Sequence, residues 1–342
     1  FWELTNSLKD AYYISVNSEY QFLPEFIEDK DTYFEPNGKS TRGFNQIHIN
    51  AMFSLLDKRF TDILVQPARK RNEYSAFCSM VDSADIHEHY KVIFFGDRGY
   101  TSYNNFAHVI EKGQYFLIRC NDKRASGMMG YPVDTLPAFD EDISLILTRS
   151  KAVSKYSRPE LFSSYRYIYQ NAPMDYLNDQ RTEYDLALRL LRIQLDDGSY
   201  ENIATNLPEE EFKAEDFKAL YHLRWQEENS FRDLKYSLCL KAFHSKKYDY
   251  IVQEVWARVI LYNFSSSIII NVTIDREDRA YEYQANYSSA LKTCRDFLRI
   301  HDGITKINVE GLIAQNIEPI RPGRTFARQH RFKLPMSFCY RH

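Results

Sequence analysis

Residues 221–235, YHLRWQEENSFRDLK, predict an amphipathic helix around which the rest of the chain can be interpreted. The polar side chains with helical spacing are Tyr221, Arg224, Glu228 and Lys235. At about 100° per residue, these four side chains project within about 60° of one another. A phenol, a guanidinium, a carboxylate and an ammonium group therefore share one stripe of the helix.

The neighbouring stripe of this helix is apolar and comprises Leu220, Leu223, Phe231, Leu234 and Leu238. Such a stripe packs on a core and leaves the charged row at its rim. A helix that merely faces solvent also carries charges, so the pattern alone leaves both interpretations open. Glu227 lies within the apolar stripe, and we expect it to be partly exposed or to weaken the docking of the helix.

The spacing Tyr-x2-Arg-x3-Glu-x6-Lys resembles the motif of the insertion-sequence-four family of bacterial DNA transposases, which belongs to the Asp-Asp-Glu superfamily. All four positions match. The resemblance implies that Glu228 is a catalytic, metal-binding carboxylate. It also implies that Tyr221, Arg224, Lys235 and the adjacent Trp225 bind the DNA of transposon ends. The residue types suit these roles, because divalent cations prefer carboxylate oxygens and phosphates are bound by Arg and Lys.

A second motif follows the apolar run at residues 92–95, which predicts a central strand buried on both faces. The run leads into Asp97-Arg98-Gly99-Tyr100, which resembles the second catalytic aspartate motif of the same family. Sheets of α/β proteins bind ligands at the carboxyl ends of such strands. An Asp in a turn after a strand is common by itself. The assignment of Asp97 as a catalytic residue and metal ligand therefore depends on the downstream motif.

The position of the first catalytic aspartate is occupied by Asn17. Residues 11–24, AYYISVNSEYQFLP, predict a strand and a turn. In relatives this strand ends in Asp-Gly-Ser, with Leu-Pro a few residues later, and counting back from Leu23 and Pro24 gives Asn17. A neutral amide oxygen in the metal site weakens the binding of two cations, so we predict that this chain cleaves DNA poorly or not at all. Glu19, about 7 Å further along the same strand face, is the alternative carboxylate.

The order of the predicted elements is that of an α/β, ribonuclease-H-like mixed sheet flanked by helices, with a β-rich insertion before the last catalytic helix. We predict four segments. They are a first part of the core (1–121), the insertion (122–213), the rest of the core with the catalytic helix (214–272), and a C-terminal helix with a basic tail (273–342). Arg189 and Arg192 of the insertion are expected at the surface, on opposite strand faces, where either could touch DNA.

Composition allows nucleic-acid binding without requiring it. The 342 residues suffice for one large domain or two smaller ones, and the net charge is −3. DNA binding needs only a local basic patch. Beyond Glu318 the chain has no carboxylate side chain and contains Arg321, Arg324, Arg328, Arg331, Lys333 and Arg341. This tail predicts either a DNA-binding segment or a disordered basic tail.

Other signals are weaker. The 5 cysteines are scattered without a C-x-x-C pair, which predicts reduced thiols in a cytoplasm. The apolar run 259–272 is too short to span a bilayer and predicts a buried helix. His87-Glu88-His89 has the wrong spacing for a helical metal site and predicts a surface loop. Glu73 resembles a recurrent family glutamate without a known role, and the cluster 69–71 predicts solvated surface or a phosphate contact. Because the chain begins at Phe1, we expect an upstream DNA-binding region to be missing.

Together these features predict the catalytic domain of a cut-and-paste DNA transposase. The resemblance implies two Mg²⁺ or Mn²⁺ ions held by Asn17, Asp97 and Glu228, transposon-end and target DNA as partners, and a homodimer on DNA in the bacterial cytoplasm. One alternative is a catalytically dead or domesticated transposase that binds DNA without cutting it. Another is a metal-dependent nuclease unrelated to transposition, which would cut DNA without joining strands.

Overall fold

The computed structural model describes residues 11–36, 42–86, 90–151, 163–274, 281–300 and 306–320. The strands are β1 (Ala11–Leu23), β2 (Tyr33–Phe34), β3 (Phe44–Ser54), β4 (Arg59–Pro67), β5 (Lys91–Gly96), β6 (Tyr115–Cys120), β7 (Phe139–Thr148), β8 (Tyr165–Tyr167), β9 (Glu183–Gln194), β10 (Tyr200–Thr205), β11 (Tyr283–Ala285) and β12 (Ile317–Pro319). The helices are α1 (Glu73–Ser83), α2 (Tyr103–Glu111), α3 (Asp122–Met129), α4 (Asp216–Leu223), α5 (Trp225–Tyr236), α6 (Tyr248–Ile269), α7 (Tyr287–Arg299) and α8 (Val309–Gln315).

The chain divides into two compact units. The first unit comprises residues 1–17 and 72–225, and the second comprises residues 18–71 and 226–342. This division differs from the four segments derived from the sequence. The basic tail from Arg321 onward and the segment His87-Glu88-His89 lie outside the described residues.

The first unit contains a mixed sheet in the order β1-β5-β6-β10-β9-β7-β8. Strands β1, β5 and β6 are parallel, and β10 pairs antiparallel with β6, with Ala204 opposite Ile118. The apolar run of β5 is buried from Val92 to Gly96, as expected for a strand with neighbours on both sides. The strands of the predicted insertion therefore continue the sheet of the core.

Aromatic side chains fill the core of the first unit. Phe106 of α2 stacks on Phe116 of β6 with ring centroids 4.5 Å apart, and both side chains are fully buried. Phe77 of α1 contacts the ring of Tyr100 at 5.5 Å. Burying each such ring contributes roughly 1.5–3 kcal/mol. These rings hold α1 and α2 against the sheet and so position the turn that follows β5.

The second unit contains the hairpin of β3 and β4, with Ile49 opposite Val65. Helix α6 packs against this hairpin, and Asn263 both donates to the carbonyl oxygen of Phe60 and accepts from its N–H, at 2.8 and 2.9 Å. The opposite face of α6 is not buried, since Ile260 is 64% exposed. The prediction that residues 259–272 form a buried helix is therefore wrong for this face.

The long helix predicted around residues 221–235 is interrupted. Helix α4 ends at Leu223 and α5 begins at Trp225. The dihedral angles of Arg224 remain near-helical, with φ −53° and ψ −28°, but its N–H donates to Tyr221 O three residues back, at 3.2 Å. At the motif arginine the helix therefore has a 3₁₀-type hydrogen bond, which spans three residues instead of four.

The described helices include none that is long and apolar enough to cross a membrane. Cys78, Cys120, Cys239 and Cys294 are free thiols, which confirms the prediction for these four. Cys339 lies outside the described residues.

His108 of α2 connects α1 to the segment between β8 and β9. Its Nδ1 lies 2.8 Å from Oδ1 of Asp82, and its Nε2 lies 2.9 Å from Oδ2 of Asp175. Asn104 donates to the same oxygen of Asp175 at 2.9 Å and accepts from the Asp175 N–H at 2.8 Å. The segment before β9 is thus held to α2 by the contacts of Asp175 with His108 and Asn104.

We expect Asp175→Asn to lower the unfolding midpoint at pH 7. The hydrogen bond from Asn104, followed by the contact with His108, holds the pKa of Asp175 below its usual value. A lowered folded-state pKa contributes stability above the unfolded pKa of about 3.9, and this contribution is lost as the pH falls through the folded-state pKa. The difference between variant and parent should therefore close on acidification. Asp179→Asn in the same segment is the matched control, and an equal effect of both substitutions would contradict the prediction.

Candidate active site

Asn17 and Asp97 come directly after the last paired residues of two adjacent parallel strands, β1 and β5. Val16 of β1 pairs with Gly96 of β5, so the next residues of the two strands are Asn17 and Asp97. Adjacent strands lie about 4.8 Å apart. Both residues are half-buried. The register therefore brings the first and second positions of the expected metal site side by side within the first unit.

The carboxylate of Asp97 is held by the turn that it begins. Its Oδ1 accepts a hydrogen bond of 2.7 Å from the Gly99 N–H and caps the short 3₁₀ turn Arg98–Tyr100. A Cβ atom on Gly99 would lie 2.8 Å from Oδ1 of Asp97, so only glycine leaves this oxygen in place. The Asp-Arg-Gly-Tyr sequence thus fixes the position of the carboxylate at the end of β5.

Glu73 brings a second carboxylate close to the same turn. It is the first residue of α1, and its Oε2 lies 3.6 Å from the point where a Gly99 Cβ would be. The carboxylates of Asp97 and Glu73 therefore flank Gly99. The spacing of Glu73 and Asp97 along the sequence does not predict this proximity, because α1 and the turn after β5 meet only in the fold.

The donor set at this edge suits a hard divalent cation only in part. Carboxylate and amide oxygens are the ligands that Mg²⁺ accepts. Among the described residues, no three His, Cys, Asp or Glu side chains form a metal-binding group. At residue 17 an amide stands where the resemblance implies a carboxylate.

Tyr221 and Arg224 are packed against each other in the first unit. The Cζ atom of Arg224 lies 5.3 Å from the ring centroid of Tyr221, and each residue is only 6% exposed. Burial raises the pKa of the Tyr221 phenol, and the charge of Arg224 opposes this rise. The arginine of the motif therefore stacks on the tyrosine of the motif.

Glu228 and Lys235 lie on α5 in the second unit, where Glu228 is half-buried. The apolar stripe docks as predicted, since Phe231 is 3% exposed and contacts the ring of Phe60 at 5.8 Å. Glu227 is fully buried, so the expectation of partial exposure is wrong. The side chain of Trp225 lies outside the described part of the chain.

Lys235 forms an ion pair with Glu19 of β1. Glu19 is the carboxylate that the sequence offers as the alternative to Asn17 in the metal site.

 The carboxylate that the sequence offers as a substitute for the missing aspartate therefore already has a cationic partner. Lys235 is largely buried, with 18% of its side chain exposed. Burial lowers the pKa of its ammonium group to about 8, and the charge of Lys241 acts in the same direction.

Arg189 and Arg192 are not surface residues, and the prediction that places them there is wrong. Arg189 is 3% exposed and forms two hydrogen bonds with Asp140, at 2.6 and 2.5 Å. Arg192 is 4% exposed and donates to Asp122 and Asn202 at 2.7 and 2.9 Å. Buried guanidinium groups require such partners, so both arginines are engaged in holding the insertion strands together.

Comparison with known protein families identifies the class to which these features belong. The sequence matches the transposase DDE domain over residues 23–264, which is more than half of the chain. The chain belongs to the transposase DDE domain family. No curated protein matches the sequence.

Most of the candidate site residues lie within the range that matches this transposase family. The matched range begins after Asn17 and contains Asp97, Tyr221, Arg224 and Glu228 as well as Lys235. The mixed α/β fold of the transposase, with its large sheet and helices, is consistent with a ribonuclease-H-like DDE fold. Transposases of this family are polynucleotidyl transferases, they act on DNA, and they generally use divalent metal ions.

We expect Gly99→Ala to destabilise the transposase, because the new Cβ would collide with the Asp97 carboxylate. A forced shift of this kind costs about 1–3 kcal/mol. Urea unfolding measures the loss. Gly127→Ala is the matched control, since a Cβ there meets no atom within 4 Å and lies in a helix, where Ala is preferred to Gly. Equal stability of the two variants would show that the Asp97 carboxylate can move without cost.

We expect Glu19→Gln to lower the pKa of the Lys235 ammonium group relative to the unaltered chain, because it removes the carboxylate that pairs with Lys235. An adjacent carboxylate favours the charged ammonium form and so opposes the effect of burial. Removing its charge leaves burial and Lys241 unopposed. An NMR titration of the lysine side chains measures the change, with Glu25→Gln, an exposed carboxylate of the second unit, as the control. An unchanged pKa would contradict the assigned ion pair.

Proposed function

We propose that the chain is the catalytic domain of a cut-and-paste transposase of the insertion-sequence-four type, with a ribonuclease-H-like core. The observation that carries this proposal is the register of β1 and β5. Val16 pairs with Gly96, so the next residues along the two strands are Asn17 and Asp97. The complete Tyr-Arg-Glu-Lys spacing supports it. The match to the transposase DDE domain over residues 23–264 also supports it.

We propose that Asp97 and Glu228 are catalytic carboxylates and, with Asn17, the ligands of two Mg²⁺ or Mn²⁺ ions. Such ions, when bound, activate water and then a 3′-hydroxyl for in-line attack on a phosphodiester. The contribution of this chain is positioning. The Gly99 N–H holds one oxygen of Asp97, and Asn17 offers a neutral carbonyl oxygen next to it.

The proposed DNA-binding residues are Tyr221, Arg224, Trp225 and Lys235. Phosphate binding would require Lys235 to exchange the carboxylate of Glu19 for a phosphate oxygen, because the two residues are paired. Arg224 would keep its stacking on Tyr221 while its guanidinium N–H groups donate to phosphate oxygens of the DNA. Transposon ends and target DNA are the proposed partners, with a homodimer acting on paired ends.

The substitution at residue 17 leads us to propose that this transposase is impaired in cleavage. An amide carries no charge, so it contributes less than a carboxylate to binding two cations and to activating water. The result is a protein that keeps its DNA-binding groups and loses catalytic power.

We expect Asn17→Asp to raise metal-dependent cleavage of DNA ends by about tenfold or more, because it restores a charged ligand; a tenfold change corresponds to about 1.4 kcal/mol in the barrier. Cleavage of labelled duplex ends in Mg²⁺ or Mn²⁺, followed by strand transfer, measures the gain. The gain should disappear when Glu228→Gln is added.

The matched control is Asn178→Asp, which adds the same charge to a turn where the side-chain oxygen already accepts hydrogen bonds from the N–H groups of residues 180 and 181. Full activity of the unaltered chain would overturn the proposed impairment. Absence of cleavage and strand transfer in Asn17→Asp would overturn the proposed metal site.

A second candidate function is DNA binding without cleavage, as in a domesticated transposase. Asn17 favours it, because the site lacks one of its expected charges. Salt-dependent duplex binding without nuclease activity in any divalent metal, even after Asn17→Asp, would support this function over the first.

A further inference from the structure

A cavity of about 460 Å³ opens in the first unit beside the turn that carries Asp97. Its wall includes Thr101 and Ser102, which directly follow that turn. The hydroxyl of Thr101 donates to the carbonyl oxygens of Arg98 and Arg119, at 3.2 and 3.0 Å, and so joins the Asp97 turn to the end of β6. The cavity therefore lies at the carboxyl edge of the parallel strands, where α/β sheets bind ligands.

Two cations stand on one side of the cavity. Lys123 and Arg124 belong to the first turn of α3, are exposed, and form no ion pair with any described residue. Asp122, the neighbouring acid, is turned to Arg192 and Asn202, which donate to its Oδ1 at 2.7 and 2.8 Å. No carboxylate lines the cavity, so its electrostatic potential is set by the two cations.

The other walls of the cavity suit a ligand that has both apolar and anionic parts. Tyr103, Phe106 and Met128 supply apolar surface, whereas Ser102 stands at the start of α2 without capping it. Burial raises the pKa of Tyr103, and the charges of Arg166 and Arg124 oppose that rise. An apolar floor with a cationic rim matches a sugar–phosphate backbone better than it matches a free inorganic anion.

We propose that this cavity binds the backbone of a DNA strand next to the cleavage position, with a phosphate between Lys123 and Arg124 and the sugar against Tyr103. The proposal rests on the proposed function and adds a DNA contact outside the Tyr-Arg-Glu-Lys motif. The two cations are available for phosphate as they stand, since neither must leave a carboxylate to bind it.

The test measures binding of the full chain to a fluorescent DNA duplex of mixed sequence over a range of salt concentrations. Each phosphate contact contributes about 0.9 to the slope of log affinity against log salt. Because the two cations hold one phosphate, we expect Lys123→Ala/Arg124→Ala to weaken binding and to reduce that slope by about 1, and Lys123→Arg/Arg124→Lys to preserve it.

The matched control is Lys112→Ala/Lys213→Ala, which removes two charges elsewhere in the first unit. Lys112 follows α2 at the end opposite to the cavity, where its ammonium donates to Asp82 O. Thermal unfolding checks that all variants remain folded. An unchanged slope in Lys123→Ala/Arg124→Ala, or an equal reduction in the control, would overturn the proposal.

Gly127 offers a second test that removes no existing contact. A Cβ there meets no atom within 4 Å, and the residue lines the cavity. We expect Gly127→Glu to weaken duplex binding more than Gly127→Gln, which has the same size without the charge. Equal binding by the two variants would overturn the proposed phosphate position.

Calorimetric titration with inorganic phosphate separates the two possible sources of the anion. We expect no saturable binding of inorganic phosphate. Phosphate binding that depends on Lys123 and Arg124, together with an unchanged duplex slope, would identify a free-anion site and overturn the proposal. Failure of the unaltered chain to bind any duplex would instead overturn the proposed function, so the two failures are distinguishable.

Discussion

The parallel pairing of β1 with β5 is the constraint on which the candidate site depends. Because Val16 is opposite Gly96, the residues that follow this pair, Asn17 and Asp97, lie at the same edge of the sheet. β6 joins β5 in the same direction, with Ile118 opposite Gly96, and extends that edge to the start of α3. A shift of one residue in either pairing would turn Asn17 or Asp97 to the other face.

The cations of this protein differ in whether they already have an internal partner. Arg224 lies against the Tyr221 ring, and Lys235 is paired with Glu19. Lys123 and Arg124 have no such partner among the described residues. Binding a phosphate with a paired cation requires giving up a favourable contact, whereas an unpaired cation gives up only water.

The insertion is a structural continuation of the core. β10 pairs with β6, and the strands β9 and β7 follow in the same sheet. Its buried arginines, Arg189 and Arg192, link β9 to segments on either side through hydrogen bonds with Asp140 and Asp122. A buried charge that loses its partner is strongly destabilising, so these arginines constrain the insertion. Sequence analysis treated them as surface residues because an isolated Arg is usually exposed.

The sequence by itself determined the strand that contains Asn17, the buried strand before Asp97 and the docking face of α5, because local hydrophobic periodicity and turn residues encode these features. It also contained the motif residues. Only the tertiary structure decided that Asn17 adjoins Asp97, that Glu73 approaches the same turn, that Glu19 pairs with Lys235, and that Glu227, Arg189 and Arg192 are buried. The physical reason is that strand register, ion pairing and burial depend on contacts between residues remote in the sequence, which no local pattern records.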